Sequence, residues 1–157
     1  MSTVLRSLEF LSLSLWLGGD IFLSFIVAPG AFAVLPGRDL AGSMVGYALG
    51  RLHILGIVCG VVFFAARLAR TRSFASFAAP VALAVVLMLA LTVASQYGVT
   101  SRLARLRTEM GSVQNTPADN PLRREFDRLH RLSVQLESGV LLAGFAALYL
   151  LTREAVR

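Results

Sequence analysis

The sequence predicts an all-α protein, an antiparallel four-helix transmembrane bundle, and three observations carry that prediction. Four apolar runs lie at about residues 5–33, 41–67, 75–98 and 127–151, and each reaches the roughly 20 residues needed to cross a hydrocarbon core. The composition, 56% hydrophobic and 15% charged with a mean hydropathy of +0.71, departs from that of soluble domains, of which about a quarter is charged. Short turn-rich or basic segments separate most of the runs, so consecutive helices run in opposite directions. One integral membrane domain over residues 1–157 is therefore expected.

The elements follow in order. The first run, from about Leu8 to Ala28, ends near Ala31-Phe32-Ala33, which has the small-x-small look of a signal cleavage site. Signal cores are only about 7–15 residues long, so an uncleaved membrane helix is expected instead. Pro29-Gly30 should bend or close this helix, and Pro36-Gly37-Arg38-Asp39 is a strong turn signal. Helix two then runs to the basic loop Arg67–Ser73, where Ser73 or Ser76 can cap helix three. Phe74 to Ala94 holds no charge, and the amphipathic pattern after Tyr97 carries helix three to about Glu109, past the bilayer. Gly111–Pro121 is the only linker-like stretch, and helix four starts just after Pro121 with Glu125 in its first turn.

Charge and cysteine content narrow the function classes. The net charge is +6 and all fifteen basic residues are arginine. They flank apolar runs, a pattern suited to anionic lipid headgroups and not to nucleic acid. The positive-inside rule leans towards a cytoplasmic linker side with both termini outside. Cys59 has no second cysteine to pair with. Phosphate-binding, nucleophile-elbow and zinc-protease motifs are absent, so catalysis is not the expectation.

Polar residues inside the apolar runs mark the candidate site. Glu9, Ser12, Trp16 and Asp20 form one helical stripe, Gly42, Gly46, Gly50 and His53 another, and His130, Ser133 and Glu137 a third; helix three supplies Thr92, Ser95, Gln96 and Tyr97. The glycines let a neighbouring helix come close. Counted from the linker end, Asp20, Arg51, His53, Gln96, His130 and Glu137 all lie about 8–15 residues in, or roughly 12–22 Å. Asp20 with Arg51 can neutralise one another and set helix register, and His53 can act as a packing hydrogen bonder. Glu137 pairs with Arg51 or His53, or carries a proton. His53, His130 and Glu137 also supply plausible metal ligands, and the two histidines a bis-histidine haem, although no short ligand spacing supports either.

Trp16-Leu-Gly-Gly-Asp20-Ile-Phe-Leu-Ser-Phe-Ile-Val-Ala-Pro29-Gly-Ala-Phe32, with Ala41-Gly42, resembles the first hairpin of the bacterial domain of unknown function 4149, related to eukaryotic transmembrane protein 205. Leu122–Ser133 and Leu136-Glu-Ser-Gly139 resemble its last helix, and His53 falls where that family tends to carry a histidine. The resemblance implies a four-helix protein of a bacterial cytoplasmic membrane with no established activity, and carries over Trp16, Asp20, Pro29, His53, His130 and Ser133. Arg51 and Glu137 rest on the helical argument alone.

The leading expectation is a protein that binds or passes a small polar solute or metal ion through a polar half-membrane cavity lined by Asp20, Arg51, His53, Gln96, His130, Ser133 and Glu137. A haem- or metal-binding redox protein and a structural membrane subunit are the rivals, and homo-oligomers through an exposed glycine face are open.

Overall fold

The computed structural model describes residues 2–156. Four long helices account for most of them: α1 (Thr3–Val34), α2 (Arg38–Thr71), α3 (Pro80–Met110) and α4 (Pro121–Val156), each long and apolar enough to cross a membrane. No strand occurs among the described residues. α1 packs along α2 and α3 along α4, while α1–α4 and α2–α3 contacts close the ring. The chain is therefore an antiparallel bundle in which each helix touches its neighbours in sequence.

Its surface identifies the solvent. Leu15, Phe25, Val58, Val61, Leu83, Leu87, Leu142 and Phe145 are exposed on the outside of the bundle. Such a coat suits lipid tails and would be costly in water. The core has a distinct centre, where Leu13, Trp16, Cys59, Phe63, Val85, Met88, Val140 and Ala147 meet between the helices. Gly56 permits the approach of α2 to α1 there, because a Cβ at that position would run into the Trp16 indole.

The helices are longer than the apolar runs and start elsewhere in one case. Ala79 is extended before Pro80, so α3 begins at the proline and not at residue 75. Ser73 caps only a preceding short 3₁₀ turn, Phe74–Ala78, by accepting from the Ala75 N–H. Pro29 neither ends nor breaks α1. A π-helical segment, Leu23–Val27, precedes it, and the wider turn accommodates a ring that would press on the carbonyl of Phe25. α4 starts as expected at Pro121, with Asn120 Oδ1 accepting from the Leu122 N–H at 2.9 Å.

Polar contacts tie both ends of the bundle. At the linker end, Asp39 accepts hydrogen bonds from Ser112 Oγ and from the N–H groups of Val113 and Gln114, which docks the linker on the start of α2. At the opposite end two carboxylates and two guanidiniums form a neutral set, with Glu9 and Arg67 buried and Arg70 and Glu154 half-buried. Glu9, fully buried, accepts from Arg70 Nε at 2.6 Å and Nη2 at 3.1 Å, and from Arg67 Nη1 at 3.4 Å. Arg67 also grips both Glu154 oxygens at 3.1 Å and donates through Nε to the Ser76 carbonyl at 3.0 Å. This clamp joins α1, α2, α4 and the α2–α3 connection. Glu9 was legible as part of the buried α1 stripe, but its arginine partners read from sequence as headgroup contacts.

Three outcomes are expected. Gly56→Ala should lower stability in detergent by about 1–3 kcal/mol through overpacking, while Gly18→Ala, with open space at its Cβ, should leave the thermal midpoint nearly unchanged. Arg67→Met, which strands Glu154 and leaves Glu9 to Arg70 alone, should cost about 3–5 kcal/mol, read as a loss of folded protein in a thermal or urea titration.

Candidate functional site

Each helix brings one part of a polar layer inside the bundle. On α1, the stripe that starts at Glu9 points inward throughout, since Glu9, Ser12, Trp16 and Asp20 are all buried. On α2, His53 is buried; on α3, Thr92 and Ser95 are buried and Gln96 half-buried; on α4, Ser133 is buried and Glu137 half-buried. Gln96 lies six residues inside Arg102 and Glu137 six inside Arg131, so the layer sits about 9 Å below the charged rim on the linker side.

His53 organises the layer. Its Nδ1 is 2.8 Å from Gln96 Oε1 and its Nε2 is 2.7 Å from Glu137 Oε1. Ser95 Oγ donates to the same Glu137 oxygen at 3.0 Å. One imidazole thus joins α2, α3 and α4, with side chains 2% exposed at His53 and 16% at Glu137. Asp20 lies within electrostatic reach of both His53 and Glu137. The residue is 4% exposed, and its buried Oδ2 receives no hydrogen bond from the described residues. Thr92 Oγ1 is likewise buried without a partner among them.

The layer's two carboxylates and one imidazole therefore meet without a guanidinium. Arg51 is exposed, its guanidinium carbon 5.2 Å from the centre of the Tyr47 ring on the outer face of α2. The expected Asp20–Arg51 pair does not form, for a geometric reason. Arg51 and His53 are two residues apart, which places them on opposite sides of a helix, so only one can face inward. His130 is also exposed and lies flat against Phe126, with ring centroids 6.3 Å apart. It stands seven residues from Glu137, about 10 Å nearer the linker, at the level of Arg128 and Arg131.

The proposed ligand sets change accordingly. His53 and His130 do not share a site, and both ring nitrogens of His53 are engaged, so the bis-histidine haem arrangement and the His53–His130–Glu137 metal set are not assembled. No group of three or more His, Cys, Asp or Glu side chains placed to hold a metal ion occurs among the described residues. Asp20, His53, Gln96 and Glu137 do come together, with Ser133 one turn before Glu137. The bonded members pack directly against one another instead of lining an open cavity.

Two features escaped the sequence. Ser95 was placed on α3 but not among the site residues, although it bonds Glu137. It sits with Gln96 in a π-helical segment, Ala94–Thr100, which no proline announces. The glycine stripe of α2 faces α3 side chains: a Cβ at Gly42 or Gly46 would approach the Arg107 guanidinium, and one at Gly50 would lie 3.9 Å from Gln96 Oε1.

The family model described as a domain of unknown function, DUF4149, matches residues 11–112. The chain belongs to the DUF4149 family. No curated protein and no solved structure matches it. Within this DUF4149 protein the match takes in Asp20, His53, Ser95 and Gln96, whereas Glu137 lies beyond it on α4. The hydrogen-bonded pair at the centre of the layer thus joins the matched region to the last helix.

His53→Ala should destabilise the DUF4149 protein by about 3–5 kcal/mol, because it leaves the half-buried Glu137 with only Ser95 as donor. Arg51→Gln should stay within about 0.5 kcal/mol of the wild type, as an exposed substitution does. Thermal unfolding in detergent, followed by circular dichroism, reads both.

Proposed function

We propose that this DUF4149 protein forms a single integral membrane domain in a bacterial cytoplasmic membrane, where it binds or passes a small polar solute or ion at the layer formed by Asp20, His53, Gln96 and Glu137. The observation that supports this reading is the Asp20 carboxylate, buried at membrane depth with one oxygen unbonded beside a His53–Glu137 pair that is already satisfied. An unpaired polar group in such surroundings costs several kcal/mol, on the order of 2–7 without a compensating hydrogen bond. Residues kept for helix adhesion alone are expected to bond one another, as His53, Gln96, Ser95 and Glu137 do. Asp20 is suited to a donor or cation from outside the chain. The two π-helical segments support the same reading, since one begins three residues after Asp20 and the other holds Ser95 and Gln96, and such segments recur at functional sites.

The rival reading, a structural subunit whose polar layer only sets helix register, draws on the His53 bridge among three helices. Vesicle reconstitution separates the two. Ammonium, urea, glycerol and sodium are presented to proteoliposomes, and entry is followed by light scattering against protein-free vesicles. Accelerated entry of at least one probe is expected, abolished by His53→Ala and by Glu137→Ala in protein that keeps its helical circular dichroism. Entry equal to that of protein-free vesicles for every probe, or unaltered in both variants, overturns the proposal in favour of the structural one.

A further inference from the structure

Hydrogen-bond chemistry limits the protons that the polar layer holds. Gln96 Oε1 can only accept, so His53 Nδ1, 2.8 Å away, carries a hydrogen. His53 Nε2 and Glu137 Oε1, 2.7 Å apart, need one hydrogen between them, since two bare acceptors at that distance repel. Whether that hydrogen sits on the ring or on the carboxyl, the pair is neutral in sum. Ser95 Oγ adds a donor to the same Glu137 oxygen and changes no charge.

The remaining charge of the layer then depends on Asp20 alone. Every element around it can be read for a counter-ion. α2 offers His53 and α4 offers Glu137, already balanced against each other, while α3 faces the layer with Thr92, Ser95 and Gln96, none of which titrates. On α1 itself the nearest other ionisable group is Glu9, eleven residues or about 16 Å away, held by Arg67 and Arg70. Arg51 is turned outward. A carboxylate in this position is stable as the neutral acid or beside a cation that enters the layer.

We propose that the ligand of this site is a proton, taken up at Asp20, with the His53–Glu137 pair holding a second, shared proton beside it. This rests on the intramembrane-binding reading above and names its ligand. The step balances simply: a hydronium ion gives its proton to an Asp20 carboxylate oxygen, an O–H bond forms there, and water leaves. The shared hydrogen of the pair can shift between His53 Nε2 and Glu137 Oε1 in response, with no change in the proton count of the pair. The π-helical turns next to Asp20 and around Gln96 flank the layer on α1 and α3.

Infrared difference spectroscopy of the full chain in lipid vesicles, stepped between alkaline and acidic buffer, tests the proposal. The carbonyl stretch of a protonated carboxyl group is expected to appear on acidification and to shift in heavy water. Asp20→Asn should abolish it and Glu137→Gln should retain it. If Asp20→Asn does not fold, Asp20→Glu must keep the band at a displaced frequency. No such band in the wild type, or a band indifferent to substitution at position 20, overturns the proposal. The outcome is separable from that of the vesicle assay: a band that titrates without entry of any solute keeps the proton site and removes solute passage, and solute entry without the band does the reverse.

Discussion

Inside a bilayer a polar side chain cannot fall back on water, and this single constraint organises the bundle. Each helix carries ionisable or hydrogen-bonding groups inward, and nearly all of them meet partners from other helices. Near the termini, Glu9, Arg67, Arg70 and Glu154 sum to zero charge and satisfy one another across α1, α2 and α4. On the linker side, His53 bridges Gln96 and Glu137 across α2, α3 and α4. The apolar core around Trp16, Phe63 and Met88 lies between the two layers. Lipid contributes no hydrophobic drive to bring helices together, so packing at small residues such as Gly56 and the two polar layers must hold the arrangement.

The layers differ in one respect that bears on function. The Glu9–Arg67 layer is closed chemically: every charge has a counter-charge, and the guanidinium of Arg67 is shared by two carboxylates and a carbonyl. Its position and completeness suit a structural clamp. The His53 layer contains two carboxylates and one imidazole, no guanidinium, and one buried Asp20 oxygen without a donor. An electrostatically incomplete layer beside a complete one, in the same small bundle, is the contrast on which the functional reading rests.

Much of this was legible in advance for particular reasons. Asp20 belongs to the stripe of Glu9, Ser12 and Trp16, so its inward orientation follows from a helical period that all four residues obey. His53 is buried and Glu137 half-buried, and the two are bonded to each other. The Arg51 pairing did not survive because depth was matched without matching rotation: positions 51 and 53 share a level but not a face. His130 shares a face with Glu137 yet lies two turns nearer the rim, where exposure and the Phe126 ring serve it better. Depth and azimuth are both needed to place a side chain in a bundle, and runs of apolar residues report the first only coarsely and the second not at all.

By itself the sequence determined that four helices are long and apolar enough to cross a membrane and roughly where their turns fall, because helix length and proline and glycine positions are local properties of the chain. Only the tertiary structure decided who partners whom. Glu9 reaches Arg67 and Arg70 fifty-eight and sixty-one residues away, and His53 reaches Glu137 eighty-four residues away. These choices depend on how each helix is rotated about its axis, and on π-helical turns at Leu23–Val27 and Ala94–Thr100 that alter that rotation midway. Rotation is set by packing between helices, which no single segment encodes.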